Sequence, residues 1–455
     1  MIKFIKKYLL ILVISLLLVA TGCTTTNGGN ETDNGNGQSQ TDNGSSGQSN
    51  DKRQTYLKNE YMLAEEEDSF YFFWETQNVN ELLGGCGLIP DRYPSNGLAS
   101  IASVGFGLAS FIAGVKNGYI TKQEGYDRCL LTLSHVKDLE KEHGFYYHFY
   151  LEKAGTVASG SEISNIDSAI FFCGALVAGK YFGGEVETLS RAIYEEADWA
   201  WFVNPKTNNF YMSYENGNFK GAWDVYGEQL MMYFLGAGSP THPIDKKVYY
   251  AFKRNTGTYN GHTAICSWFG SIFTYQFSHA FIDFRDMVDE NGTNWFDNSV
   301  EATIANYDYC VKNPENFNTF MKDQWGVTAS DTPSGYSGLL GTYPAGTGMQ
   351  KNFKNDGTIA CCGAIGSLPF APDLVMPVFK NYATLLEGDL VGVYGFKDAF
   401  NFDGQKAWIA NSVIGIDKGI TVLMIENYRS EIIWKTFMQI DYISTAIEVL
   451  GFRGV

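Results

Sequence analysis

From Tyr56 to Val455 the chain lays down helix-length apolar segments one after another, divided by short polar breaks and by no linker. Such segments are stable only with their apolar faces buried against each other, so an unbroken series demands one large helical unit. Ala99 to Val115 runs apolar up to the stop signal Lys116-Asn117-Gly118. Thr121 to Leu139 sets Tyr126, Cys129, Leu130, Leu133 and Val136 at helical spacing. The same pattern predicts helices over Ile166 to Tyr181, Thr188 to Phe202, Trp223 to Leu235, Ile265 to Phe277, Ser299 to Val311, Pro369 to Leu386 and Ile432 to Leu450. Short β-like pieces are expected near Phe145 to Tyr150, Phe210 to Tyr214 and Thr421 to Glu426. The helices come in antiparallel-sized pairs without a repeat of fixed period, which favours an α-toroid over an α-solenoid.

The breaks between these helices are rich in Gly, Asp, Trp and Tyr. Loops of that kind carry function when a rigid scaffold presents them. An all-α (α/α)6 barrel with short β pieces in its loops does so, because the loops at one end of the helix ring form a cleft.

The N-terminus carries a different signal. Lys3, Lys6 and Lys7 precede an apolar run from Tyr8 to Val19, too short for a comfortable membrane span. Ala20-Thr21-Gly22-Cys23 follows and resembles a lipobox, in which the cysteine is lipidated and becomes the mature N-terminus. The expectation is a signal peptide over 1–23 and a protein held in the bacterial cell envelope by lipid on Cys23, facing outside the cytoplasm. Thr24 to Arg53 contains no aromatic or aliphatic residue and cannot bury enough surface to offset its ordering entropy. A disordered polar tether is expected over 24–54, and the folded domain over 55–455.

A formal net charge of -17 argues against a nucleic-acid partner, since phosphate binding needs clustered Lys and Arg. Aromatic residues make up 15% of the chain, which suits core filling and also suits sugars, whose apolar C–H faces stack on flat rings. Apart from Cys23, the cysteines are Cys86, Cys129, Cys173, Cys266, Cys310, Cys361 and Cys362. They form no CxxC pair and no Cys/His cluster of zinc spacing, so buried, inert thiols are expected. No GxSxG elbow, Walker loop or HExxH is present.

Hydrolysis of a glycosidic bond needs two carboxyl groups, one to protonate the leaving oxygen and one to act as base or nucleophile. Carboxyls in apolar or aromatic surroundings are the candidates, because desolvation keeps an acid protonated at neutral pH. Four clusters qualify. Glu162 and Asp167 flank the head of an apolar helix, where capping by Ser161 or Ser164 is the plain alternative. Asp224 and Glu228 stand four apart between Trp223 and Met231, a repulsive spacing on one helical face that a purely structural helix would avoid. Gln276, His279, Asp283 and Arg285 punctuate an aromatic stretch, where a buried His279–Asp283 bond is as good a reading as sugar binding. Asp331 lies in a Gly/Pro/Ser-bearing loop between Trp325 and Tyr336, where a plain surface turn is the alternative.

These residues carry a resemblance. The chain resembles the bacterial glucoamylase-like family, an (α/α)6-barrel group that includes endo-β-1,2-glucanases. The matching stretches include Phe73-Trp74-Glu75, Gly87 to Arg92, Ala99 to Gly107, Gly144 to Phe149, Ser161 to Asp167, Trp223 to Glu228, Ser278 to Arg285, Trp325 to Asp331, Ser367 to Pro372, Tyr394 to Asn401 and Met424 to Arg429. The resemblance implies a glycoside hydrolase acting on a glucan, with β-1,2-glucan or a related β-glucan foremost. It implies Glu228 as general acid, and Glu162, Asp167 and Asp331 as candidates for base or subsite contacts. Trp74, Trp223, Trp325 and Tyr336 are expected as stacking surfaces, and Arg92, Asp224, His279, Asp283 and Arg285 as further substrate contacts. No cofactor or metal is implied, and a monomer is expected. A transglycosylase, or a glycan-binding lipoprotein without catalysis, would use the same scaffold. Two departures stand out: Tyr226-Gly227-Glu228 has glycine where relatives carry serine, and the loop after Asp331 is rearranged.

Overall fold

Most helices form where apolar segments predict them, and they sort into two kinds. The computed structural model describes residues 51–455. The chain divides into a first unit ending at Lys58 and a second spanning Asn59–Val455. In the first, residues 51–56 make an exposed helical turn that takes in the described end of the expected tether. The signal peptide, the rest of the tether and Cys23 lie outside the described residues.

The second unit opens on α1 (Glu60–Thr76), which Asn59 caps by accepting from the Tyr61 and Met62 amides. There follow α2 (Ile101–Lys116), α3 (Lys122–Val136), α4 (Asn165–Phe182), α5 (Gly184–Glu195), α6 (Leu230–Gly238), α7 (Trp295–Lys312), α8 (Pro372–Thr384), α9 (Gly415–Arg429) and α10 (Asp441–Leu450). In α2, α4, α6 and α9 nearly every side chain is buried, on all faces. Each is therefore surrounded by protein, as an all-apolar helix must be. Its sequence partner is amphipathic: α3 buries the stripe Cys129, Thr132, Leu133 and Val136, and α5 buries Val186, Ser190, Ile193 and Tyr194. Helix α2 packs on α4 and on α9, α4 on α5, α6 on α10, and α9 on α1. The structure is thus helix-rich, with inner helices backed by outer ones and short antiparallel strands in the connections.

Glycine permits the closest of these crossings. A Cβ on Gly174 of α4 would fall inside contact distance of the Gly105 carbonyl oxygen of α2, and one on Gly105 would meet the Ile170 carbonyl and the Phe171 Cα. Between α4 and α5, Gly183 adopts φ 73° and lets one helix turn directly into the next.

Short strands precede the inner helices. Leu98–Ser100 pairs with Phe149–Leu151 ahead of α2, Ile163–Ser164 pairs with Ser213–Glu215 ahead of α4, and Val413–Ile414 pairs with Arg92–Tyr93 ahead of α9. The last pairing joins an early and a late part of the chain, in the register Arg92↔Ile414.

Several expected elements differ. Residues 223–229 are not helical; Val225 and Tyr226 bridge to Lys253 and Ser267, and α6 starts only at Leu230. Ile265 to Phe277 is not a helix either. Its head is the strand His262–Ile265, Gly270 at φ 64° breaks the chain, and only a 3-10 turn over Ile272–Tyr275 follows. Thr421 to Glu426 is helical, inside α9, because a run buried on all sides reads alike for strand and helix. Ile432 to Leu450 breaks at 438–440 into Ile432–Phe437 and α10. The seven described cysteines are free and buried, as expected.

The Gly105/Gly174 crossing generates a prediction. Gly174→Ala should cost about 2 kcal/mol or more, because the obstacle is backbone and cannot swing away. Urea unfolding of the soluble domain checks this; a loss under about 0.5 kcal/mol would contradict the crossing.

Candidate active site

The N-terminal ends of the inner helices converge on one cavity of about 550 Å³. Asp167 stands in the first turn of α4, Glu228 two residues before α6, and Asp417 in the first turn of α9. All three line the cavity, with Asp91, Arg92, His148, Glu162, Trp223 and Tyr336. Helix N-termini favour negative charge, so this end of the bundle suits an acidic site.

Local hydrogen bonds hold these positions. Ser164 caps α4 by accepting from the Asp167 amide and donates its hydroxyl to Asp167 Oδ2 at 2.5 Å. Capping and a place in the cavity thus occur together at Asp167. Ser278 donates to the Glu228 carbonyl at 2.7 Å and accepts from the Met231 amide at 3.0 Å, which fixes the backbone where α6 begins. The Asp91 carbonyl accepts from the Gly415 amide at 2.7 Å and ties the Asp91–Arg92 segment to the start of α9.

His148 bridges two acids. Its Nδ1 lies 3.0 Å from Glu162 Oε1 and its Nε2 3.6 Å from Asp167 Oδ1. Burial works against its charge, but Asp167 and Glu162 prevail and push the imidazole up to about 9. It is therefore a cation at neutral pH. Burial works against Glu162 as well, yet the bond to His148 holds its carboxyl below the ordinary value.

Glu228 is the opposite case. It is half-buried, and the surface it keeps faces the cavity. Burial, then the Asp167 charge, push its carboxyl up to about 8, with His148 opposing. Among the described residues no donor holds its carboxyl oxygens. Glu228 is thus a protonated acid free to give its hydrogen to whatever enters the cavity.

Across the cavity a second network surrounds Arg92. Its Nε donates to Asp91 at 3.1 Å and its Nη1 to Asp331 at 3.2 Å. Asp331 does not line the cavity; Ser412 donates to its Oδ2 at 2.6 Å, and its amide donates to Asp398 Oδ2 at 2.7 Å. Asp331 therefore holds Arg92 in place. Asp417 reaches the cavity, and Cys362 donates its thiol to Asp417 Oδ1 at 3.2 Å. Glu162, Asp167 and Asp91 face a cation, whereas Asp417 accepts from a neutral thiol; burial raises its carboxyl above the ordinary value, and its bonds to Asp398 and Cys362 oppose that rise.

The expected aromatic contacts divide. Trp223 lines the cavity, its indole donating to Asn165 Oδ1 at 3.3 Å. Tyr336 lines it from the hairpin Ser330–Thr332/Gly335–Ser337 and is 54% exposed. Trp74 and Trp325 lie elsewhere. Trp74 stacks under the Arg128 guanidinium at 3.8 Å and meets the edge of Phe111. Trp325 is fully buried against Tyr307.

Four polar candidates also fall outside. Asp224 faces Lys253 at 3.6 Å on an open surface, and with no helix there it shares no face with Glu228. His279 is a core residue bonded to Ser299 at 2.9 Å among Phe284, Phe296 and Phe370, and burial lowers it to about 3. Asp283 binds Arg285 instead of His279, because a 3-10 turn at Phe277–Ala280 replaces the expected helical spacing. Arg285 also binds Glu431 at 2.7 Å and covers Trp434. Conversely, His148, Asp91, Asp398 and Asp417 were not among the sequence candidates. His148, Asp91 and Asp398 fall inside the matching stretches; Asp417 in Gly415-Ile416-Asp417 resembles any acid at a helix start. Among the described residues no group of three or more His, Cys, Asp or Glu is arranged to hold a metal ion.

The family model described as "putative glucoamylase" matches residues 220–441. A crystal structure from Bacteroides uniformis, given the same description, superposes with a TM-score of 0.78 at 27% identity, covering 87% of this chain and 97% of that one. An exo β-1,2-glucooligosaccharide sophorohydrolase (non-reducing end) from Parabacteroides distasonis is 27% identical over an alignment of 441 positions that covers 86% of this chain. The chain spans 58% of that relative's length. The endo-β-1,2-glucanase of Chitinophaga pinensis, solved with sophorotriose and glucose, shares the fold at a TM-score of 0.77 and 24% identity, covering 88% of this chain and 99% of that one.

The state of Glu228 makes a prediction about stability. The folded protein holds this proton up to pH about 8, whereas the unfolded chain releases it near the ordinary value of 4.5. A carboxyl whose value rises on folding costs stability as pH climbs through that window. Glu228→Gln removes the cost. At pH 8 the variant should be more stable than the wild type by about 2 kcal/mol, after a discount for cavity water, with the gain vanishing toward pH 4.5. Denaturant unfolding across this range checks both sign and window.

Proposed function

We propose that the chain is a glycoside hydrolase of the bacterial glucoamylase-like family and that it hydrolyses a β-glucan, with β-1,2-linked chains as the first substrate class. The observation that carries this reading is Glu228, a carboxyl kept protonated by burial and without a donor among the described residues, in a cavity it shares with Asp91, Glu162, Asp167 and Asp417. Glu228 protonates the leaving glycosidic oxygen. Asp417 is the base, because no cation occupies it among the described residues and burial makes its carboxylate readier to draw a proton from water. Glu162, Asp167 and Asp91 are held by His148 and Arg92, and these groups bind and orient sugar hydroxyls. Trp223 and Tyr336 offer ring faces to the pyranose. The substrate linkage is supported by the sophorohydrolase name of the relative from Parabacteroides distasonis.

The wider reading is a monomeric (α/α)6 barrel over 55–455. It is joined by a flexible tether over 24–54 to lipid on Cys23 and works outside the cytoplasm. The lipobox-like Ala20-Thr21-Gly22-Cys23 and the polar composition after it support this.

Product analysis of the soluble domain on β-1,2-glucan, β-1,3-glucan and starch tests the activity. Short oligosaccharides are expected from β-1,2-glucan, and Glu228→Gln should lower kcat by about a thousandfold. The rate should fall as pH rises through about 8, where Glu228 gives up its proton. Tight binding of one glucan with no product from any would leave a glycan-binding protein. Longer or cyclic products would make it a transglycosylase.

A further inference from the structure

Behind the cavity wall the carboxyl of Asp398 lies against that of Asp417, and neither has a cation within ion-pair distance among the described residues. We propose that Asp398 carries a proton and donates it to Asp417, so that Asp398 is a positioning residue that aims Asp417 into the cavity and leaves it the single charged member of the pair. The role of Asp417 rests on the hydrolase reading above; the shared proton does not.

Three observations place the proton. Asp398 is 4% exposed, and two adjacent buried carboxylates without a counter-ion cannot both be charged. Its Oδ2 accepts from the Asp331 amide, whereas its buried Oδ1 has no donor. As a carboxylate oxygen Oδ1 would be orphaned; as a hydroxyl it has Asp417 to donate to. Asp417, in turn, occupies the first turn of a 15-residue helix, where the free amide ends favour negative charge, and it already accepts from the Cys362 thiol. Asp398 sits on the approach to the strand Ala399–Asn401 and has no helix end to stabilise a charge. The proton therefore rests on Asp398. Burial first, and then the Asp417 charge, act in the same direction on Asp398.

The other ionisable groups facing the pair do not supply a cation. Asp331 and Asp91 are acids occupied by Arg92. Cys361 and Cys362 are neutral thiols, each raised by burial, and the Tyr336 phenol bears no positive charge in either form. Lys418 follows Asp417 in sequence but spends its charge on Glu65 at 2.7 Å in a buried ion pair.

The test separates donor from charge. Asp398→Asn keeps an N–H donor and can carry no charge; Asp398→Ala removes the donor. With the proton on Asp398, Asp398→Asn retains most of the activity, and the acidic limb of its kcat/KM profile stays in place. Asp398→Ala should lose about tenfold or more in kcat at little change in KM, with its acidic limb moved to higher pH, because Asp417 loses a hydrogen bond that favours its charge. If Asp398 were itself ionised, Asp398→Asn would remove a repelling charge and move the acidic limb to lower pH, which overturns the proposal. Infrared spectroscopy supplies a readout independent of any glucan. The wild-type minus Asp398→Asn difference spectrum at pH 7, recorded in the Glu228→Gln background, should contain the carbonyl band of a protonated carboxylic acid. A difference spectrum with only carboxylate bands overturns the proposal even if Asp398→Ala fails to fold or the domain cleaves none of the glucans.

Discussion

Carboxyl groups crowded into one cavity repel each other, and that repulsion organises the rest of the site. Asp91, Glu162, Asp167, Glu228 and Asp417 all reach the same space, with Arg92 and His148 as the lining cations. Charge cannot accumulate there without neutralisation, so each acid is paired with a cation, bonded to neutral donors, or protonated. The acids at His148 and Arg92 take the first course and Asp417 the second. Glu228 takes the third, and this difference between neighbouring carboxyls separates an acid from a base.

The scaffold makes such crowding possible by aiming helix starts at one point. Helices α4, α6 and α9 begin at the cavity, and each brings an acid at or just before its first turn. Their own bodies are apolar all round and locked by backbone-to-backbone crossings such as Gly105 on Gly174, so their ends have little freedom to spread apart. Buried ion pairs from α1 support α9 from behind: Glu65 to Lys418 and Glu66 to Arg429. Removing Glu65 or Lys418 would leave its partner a buried charge alone, a severe cost, so α9 and the Asp417 it carries are held in register.

The sequence made the helical body legible, because inner helices with small and apolar residues at every position have no other stable use. It showed Glu162 and Asp167 as acids amid apolar residues at a helix start, whereas Glu228 was singled out on a helical spacing to Asp224 that residues 223–229 do not adopt, and on the resemblance. It misled at Asp224 and at the His279–Asp283 pair, where an assumed helical spacing did not survive local bridges and a 3-10 turn. It misled at Trp74 and Trp325, because aromaticity does not reveal which side of a helix layer a ring faces. His148 and Asp417 escaped notice because their significance lies in what they touch. A histidine between Glu162 and Asp167, or an aspartate against Asp398, is a fact of three-dimensional contact with no local signature. Asp331, a candidate for base or subsite contact, instead grips Arg92 and does not itself line the cavity.

The central claim is that Glu228 is the one cavity-lining acid that is protonated at neutral pH, and it can be measured without substrate. In protein labelled at the glutamate side-chain carboxyl with carbon-13, the resonance lost in Glu228→Gln identifies this group, and its shift can be followed with pH. A midpoint near 8 is the expected result. A midpoint at the ordinary glutamate value of 4.5 would mean that Glu228 is ionised at neutral pH, and the division of labour described for this cavity would be wrong.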